Sequence, residues 1–501
     1  MALTVRRLLI VLFTLALPGG VLSASDMAST PRAELWMTIP FILLLLSFAV
    51  MPFINKHWWE HHYPAVAIGL GLVVIGYYVV GLDAPGRMVH TGMEYFSFIA
   101  LIGSLFVVAG GIHLKIKGKS TPLTNVALLS IGAVISNIVG TTGASVILIR
   151  PFIRVNRYRI RPFHIVFFIF IVSNMGGALT PIGDPPLFLG YLRGIPFFWV
   201  AENLWYKWGI GMILVMAVFY LMDMRSFRAL PASVRRGAEG AEEEGEVGGI
   251  HNVLFLAVIL VAVFIQNPPF VREALMLLAA VGSYFTTRKS IHKKNDFNFA
   301  PVKEVAILFF GVFGTMVPAL DWLEQNSTTL GIQYAGQFYW ATGSLSAFLD
   351  NAPTYLNFLS AAIGLFVDND IVQQVQNLVA QHGSGIQTLA GPHADEVRNT
   401  FATLVKYHYD LVASGNVPIE DINTAYLIGN HNIYLQAISI AAVFFGACTY
   451  IGNGPNFMVK SIATQSGVET PNFVQYIVKY TLPVLIPIFI LIWVLFFNGP
   501  A

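Results

Sequence analysis

Long apolar runs alternate with short polar punctuation along this chain, and many of the runs are long enough to cross a bilayer as helices. The punctuation is of two kinds. Clusters of Lys and Arg close several runs and mark a cytoplasmic face. Gly/Pro-rich breaks interrupt others in the middle, where lipid could not satisfy a bare backbone. In the first half, spans are expected over Leu35–Ile54, Pro64–Gly81 and Met93–His113, then from Phe163 to Val200 with a break at Thr180–Pro186, then over Tyr206–Leu221. The apolar stretch Leu123–Ile149 is different. Lys115, Lys117 and Lys119 precede it, and Arg150, Arg154, Arg157, Arg159 and Arg161 surround its exit, so both flanks read as cytoplasmic. Two crossings need about 40 residues, and residues 123 to 149 provide 27. A re-entrant helical hairpin is expected, with the small, polar tip Ser136–Gly143.

The second half repeats the plan. Spans are expected over Asn252–Gln266, Glu273–Thr287 and Val302–Leu320. A second hairpin covers 332–366, with Leu349–Thr354 at its turn, and a polar external loop covers 368–430. A ninth span within 431–463 breaks at Thr449–Asn456, and a tenth covers Phe473–Phe497. The two breaks lie in closely related sequences: Gly177–Phe188 reads GALTPIGDPPLF and Gly446–Phe457 reads GACTYIGNGPNF, identical at seven of twelve positions. Ser130, Ala133 and Asn137 match Ser344, Ala347 and Asn351 at one offset of 214, and the breaks match at 269. Five crossings in the first half would turn the second copy upside down. The expected fold class is therefore all-α: a polytopic membrane protein of about ten spans in two inverted five-span repeats, each with a re-entrant hairpin and a broken helix. The repeats are 25–224 and 251–501, joined by a cytoplasmic linker at 225–250. Residues 1–24, with Arg6 and Arg7 before an apolar run, read as a signal peptide or an extra N-terminal helix.

Composition narrows the function. The chain is 55% hydrophobic and 11% charged, about half the charge of a soluble protein. A single cysteine, Cys448, rules out an internal disulfide. No phosphate-binding loop suggests ATP-driven transport, and nothing points to an enzyme, a cofactor or a nucleic-acid partner. Interrupted helices at matching places in two halves are the sequence sign of a secondary transporter's binding site.

The candidate chemistry sits in those breaks and hairpin turns. Asp184 lies in the first break, where a carboxylate at membrane depth costs about 2.5–3.5 kcal/mol on the insertion scale and is a functional candidate. Asp350 lies at the second hairpin turn. Asn137, Asn351, Asn453 and Asn456 add neutral oxygens that suit a hard cation. Ser136, Thr141, Thr142, Thr180, Gly183, Thr354, Thr449 and Gly452 support them with hydroxyls or loosened backbone. A sodium ion is expected at Asp184, Asn137, Asp350 and Asn453. Helix capping is the plain alternative for both aspartates, since Pro follows each. Arg193 could pair with Asp184 or bind an anion. Glu304, Asp321, Glu324, His113 and His431 read as interfacial or helix-end groups, and Cys448 as a small core residue.

The hairpins together with SNIVGTTGAS, TPIGDPP, LDNAPT and TYIGNGPN resemble the ion-transporter superfamily over nearly the whole chain after residue 25. That group includes NhaD-type sodium/proton antiporters, citrate and dicarboxylate carriers and arsenite pumps. The nearest likeness is to bacterial sodium:proton antiporters and citrate transporters. The resemblance implies a scaffold, often dimeric, holding a mobile unit built from the hairpins and broken helices, with sodium sites at their tips and elevator-like movement in the bacterial cytoplasmic (inner) membrane. Ser136-Asn137 matches the start of the Ser-Asn-Thr motif of dicarboxylate carriers, but the second hairpin has Asp350-Asn351-Ala352. The expected function is Na⁺/H⁺ exchange, with sodium- or proton-coupled uptake of citrate or another carboxylate as the alternative. Lipid, Na⁺ and H⁺ are the expected partners, with a homodimer allowed by the resemblance.

Overall fold

A computed structural model describes residues 32–115, 119–231, 246–265 and 268–499. The expected leader at 1–24 lies outside the described residues, as do positions 232–245 of the linker. The fold is helical and polytopic. Among the described residues six helices are long and apolar enough to cross a membrane, or seven if Ile419–Asn430 and Asn432–Cys448, bent by 102°, count as one span. Three shorter apolar helices, Leu35–Phe48, Pro162–Gly177 and Asn252–Ala262, accompany them. Large apolar side chains such as Leu72, Val80, Leu254, Leu278 and Phe285 point outward, as a lipid-facing surface requires.

Eleven helices position the site. They are α1 (Pro85–Gly110), α2 (Pro122–Val155), α3 (Pro162–Ile171), α4 (Pro185–Leu192), α5 (Trp199–Arg228), α6 (Ala300–Asn326), α7 (Ala335–Phe348), α8 (Asn351–Phe366), α9 (Ile419–Asn430), α10 (Asn432–Phe445) and α11 (Gly454–Gln465). Proline opens α2, α3, α4 and α11 in their first turn, where its missing N–H is no loss. Among the described residues the one departure from all-α structure is a short ribbon in which His113–Lys115 pairs antiparallel with Glu246–Gly248. It sets Glu246, near the end of the linker, opposite Lys115.

Helix α2 turns back on itself at Gly140, whose φ of 76° and ψ of 156° are non-helical. A side chain adopts that φ only with strain, so glycine is required there. The two limbs meet: a Cβ on Gly132 would lie 3.2 Å from Leu148, and Asn125 and Asn156 exchange amide hydrogen bonds of 2.9 and 2.7 Å. The same end is tied to its neighbours by Asp223 of α5. Its carboxylate takes the guanidinium of Arg159, the ring of His164 and the amide of Asn125, all fully or almost fully buried. Helices α7 and α8 form the second fold-back. They turn at Leu349 and Asp350, and Phe338 on one limb meets Phe358 and Phe366 on the other.

Both breaks have one construction. A helix (α3 or α10) ends, a short 3-10 turn follows (Met175–Gly177 or Gly446–Cys448), and a new helix starts at Pro185 or Gly454. The residues just before the new helices, Asp184 and Asn453, are both extended, with φ/ψ of −141°/143° and −156°/141°. In each break two glycines pack backbone to backbone. A Cβ on Gly183 would lie 2.1 Å from the Gly177 carbonyl oxygen, and one on Gly452 would lie 2.6 Å from that of Gly446. Thr180 donates to the Asn137 carbonyl and accepts from Gly183 N–H. Thr449 does the same with the Ala347 carbonyl and Gly452 N–H.

Candidate ion-binding site

Asp184 is the centre, at 1% exposure. One carboxylate oxygen, Oδ1, accepts from the Thr141 hydroxyl at 2.8 Å and from Asn453 Nδ2 at 2.9 Å. The other, Oδ2, accepts from Asn351 Nδ2 at 2.6 Å. Thr141 follows the Gly140 turn, Asn351 opens α8, and Asn453 precedes α11. Both fold-backs and both breaks therefore converge on one carboxylate. Three helix N-termini, those of α4, α8 and α11, meet there, and their partial positive charge favours an anionic group. Among the described residues no Lys or Arg pairs with Asp184: its partners are neutral amides and a hydroxyl. Asn351 Oδ1 is buried without a hydrogen-bond partner, an oxygen left open beside the carboxylate. A small pocket reaches Asp184 between Leu101 and Phe106 of α1, Thr141 and Thr142 of the turn, and Phe188 of α4.

The other expected site residues are placed as follows. Asn137 does not touch Asp184. It donates to the Ala133 and Gly176 carbonyls at 3.0 and 2.6 Å and accepts from Leu179 N–H, so it braces the first break against the fold-back. Ser136 donates to the Gly132 and Val172 carbonyls. Asp350 is half-buried and caps α8 through Ala352 N–H at 3.1 Å. Thr354 donates to the Asp350 carbonyl. Asn456 donates to the Gly446 and Thr449 carbonyls, one amide removed from Asn453. Thr142 lines the cavity, while Thr180, Gly183, Thr449 and Gly452 shape the breaks.

Several side chains differ from the sequence expectation. Arg193 pairs with Glu94 at 2.6 Å and Glu420 at 3.4 Å, not with Asp184, because the eight-residue α4 separates the two. Asp321 is not an exposed helix end. It is fully buried, held by Arg87 at 2.8 Å and by the Tyr78 hydroxyl at 3.0 Å. His113 is buried against Asn295 and His431 stacks on Phe366, whereas the exposed Glu304 and the buried Cys448 agree with the expectation. Two groups were missed. Ser173 faces Ser145 at 2.8 Å. Asn174 is fully buried and joins Asn453 and Asn456. The pair Ser173-Asn174 precedes the repeated motif and lacks a counterpart 269 positions on, where Asn174 would align with Val443. Only its repetition of the Ser-Asn pair at 136–137 could have drawn attention to it.

Against known proteins, the family model CitMHS_2, described as "Putative citrate transport", matches residues 29–497. No curated protein matches the chain. The matched span takes in both fold-backs, both breaks and every residue around Asp184, and the chain belongs to the CitMHS_2 family of the ion-transporter superfamily.

Proposed function

We propose that this protein is a secondary transporter of the bacterial cytoplasmic (inner) membrane that exchanges Na⁺ for H⁺ at Asp184. One observation carries the reading: a buried carboxylate with only neutral partners lies beside a buried amide oxygen, Asn351 Oδ1, that has no donor. A basic partner would hold the charge permanently. Neutral dipoles leave it available to whichever cation is present, so Na⁺ and H⁺ compete for one group. Carboxylate, amide and hydroxyl oxygens are the ligands a hard cation takes, and Asp184, Asn351 and Thr141 supply them. Asp350 adds a second carboxylate at the neighbouring turn.

In this reading the chain has about ten spans in two inverted five-span repeats, with 25–224 and 251–501 as the units and 225–250 as a cytoplasmic linker. In that count α2 is a fold-back and not a span; the other five long helices, Leu35–Phe48, Asn252–Ala262, Val271–Thr286 and the two broken helices make ten. The shared construction of the breaks supports the repeat. The fold-backs and broken helices form the unit that moves, and alternating access carries the ion across. No resident cofactor is needed.

A second reading, sodium- or proton-coupled uptake of citrate or another carboxylate, is favoured by the family's description and by the three helix N-termini. Bound Na⁺ would then neutralise Asp184 before the anion entered. One experiment separates the two. Purified protein in liposomes is given sodium and pH gradients set independently, with and without labelled citrate. Exchange predicts sodium-driven proton efflux that needs no citrate. Citrate accumulation with no proton flux in its absence would replace this reading by the second.

A further inference from the structure

We infer that the end of α5, together with the exit of the first fold-back, is a binding surface for an anionic phospholipid: the lipid phosphate sits among Arg161, Arg225 and Arg228, and the acyl chains lie along the outward face of α5. The inference rests on the reading that these ends lie at the cytoplasmic side, and not on Asp184 or on the ion exchanged.

Buried groups fix where these arginines stand. Asp223 of α5 binds the guanidinium of Arg159 and the ring of His164, and Arg161 N–H donates to His164 Nδ1 at 3.1 Å. The Arg159 guanidinium also lies 5.2 Å from the centre of the Phe227 ring. The segment that carries Arg161 is thus pinned to the turn of α5 that carries Arg225 and Arg228. Those three arginines are exposed. Asp223 is the one carboxylate within 150–161 and 222–231, and its buried partners already take it. Among the described residues none of the three forms an ion pair. The positive charge at this end repels itself until an anion arrives.

The outward face of α5 leads to the same point. Ile213, Ala217, Tyr220 and Leu221 are exposed at helical spacing, and Arg225 and Arg228 continue that stripe. An apolar stripe that ends in two guanidinium groups mirrors acyl chains that end in a phosphate. Tyr158, exposed on the adjoining turn, supplies an aromatic ring of the kind enriched at head-group depth.

Side-chain type separates recognition from topology. Lysine and arginine serve equally for the charge bias that orients a membrane protein and for the dipole at a helix C-terminus. The basic runs at 115–119 and 289–294 are built from lysine. All seven basic residues within 150–161 and 222–231 are arginine. A guanidinium offers a phosphate two parallel N–H donors, which an ammonium cannot. Juxtamembrane clusters of basic residues attract the anionic lipids of the cytoplasmic leaflet. A zwitterionic head group has the same phosphate but brings an ammonium into a field that is already positive, so the surface selects for net negative charge.

The test titrates the purified full chain in detergent with phosphatidylglycerol, and with phosphatidylcholine as the control. It reads the lipid concentration at which the rise in unfolding temperature is half complete. Phosphatidylglycerol raises that temperature saturably and phosphatidylcholine does not. Arg161→Lys, Arg225→Lys and Arg228→Lys together keep the charge and raise the half-saturating concentration about tenfold. Lys289→Gln, Lys293→Gln and Lys294→Gln together remove three charges and leave it unchanged. Where the triple arginine variant does not fold, Arg228→Lys decides by a smaller rise in the same direction. Equal stabilisation by the two lipids, native half-saturation in the arginine variants, or an equal change in the lysine variant overturns the inference. Inorganic phosphate that reproduces the shift overturns the lipid as its source. A phosphatidylglycerol effect seen only after Glu239, Glu242, Glu243 and Glu244 are replaced by Gln makes the acidic linker the occupant and overturns it too. None of these results bears on Na⁺/H⁺ exchange, which the liposome assay reads separately.

Discussion

The two helix breaks share a backbone and differ in charge. Each has a paired glycine contact, a bridging threonine and an extended residue before a new helix. In the first break that residue is Asp184, in the second Asn453, and the two meet at 2.9 Å. The same scaffold occurs at both breaks, but an ionisable group at this point is present once. A second carboxylate there would face the first at hydrogen-bond distance, and one of the pair would have to hold a proton. An amide instead gives the single charge a fixed donor.

Exchanging the two residues is the strongest way to break this comparison. Asp184→Asn alone should cut exchange on the order of a hundredfold, the usual scale for losing a positioned proton-transfer group. Adding Asn453→Asp should restore part of the flux if the breaks are interchangeable in shape. A double variant as inactive as the single one would show that position, and not only charge, differs between them. Proton flux in liposomes reads both.

Glycine substitutions come next. Gly183→Ala puts a methyl group 2.1 Å from a carbonyl oxygen and Gly452→Ala one at 2.6 Å. Forced overpacking costs about 1–3 kcal/mol and sometimes more. Both variants should unfold at lower temperature in detergent, Gly183→Ala by the larger margin. Equal shifts would mean that the second break relaxes as little as the first.

Smaller still is removal of the bridging hydroxyls. Thr180→Val leaves the Asn137 carbonyl without its hydroxyl donor, while Gly183 N–H keeps the Thr180 carbonyl at 3.0 Å; Thr449→Val strips the Ala347 carbonyl and the Ile451 and Gly452 N–H groups. Each should destabilise by about 1–3 kcal/mol, the cost of an unsatisfied buried polar group. Thr449→Val removes more bonds and should give the larger thermal shift, and equal shifts would show that the backbone bond of Gly183 adds nothing.

The comparison also explains what the sequence made readable. Gly/Pro clusters inside apolar runs are unusual enough to stand out, so both breaks, with Asp184, Asn453, Thr180 and Thr449, could be located from the chain alone. The fold-back at Gly140 was legible from charge placement around too short an apolar run. Partners distant in sequence were not legible. Arg87 lies 234 positions from Asp321, and Arg159 lies 64 from Asp223, so Asp321 passed for a helix end and Arg159 for a loop charge. Asn137 and Asn351 align at one offset, yet one braces a break and the other meets Asp184. Alignment places a residue on the scaffold, while its contact depends on which neighbour the packing delivers. Asn174 sits in an apolar helix end with no repeat partner, and only the folded chain brings it to Asn453.

The central claim is that Na⁺ and H⁺ compete for the carboxyl of Asp184. Equilibrium binding of radioactive sodium to purified protein across a pH series tests it most directly. The account predicts saturable binding that weakens as pH falls, by up to tenfold per unit where one proton displaces one ion, and no measurable binding to Asp184→Asn. Binding that is independent of pH, or retained in that variant, would contradict it.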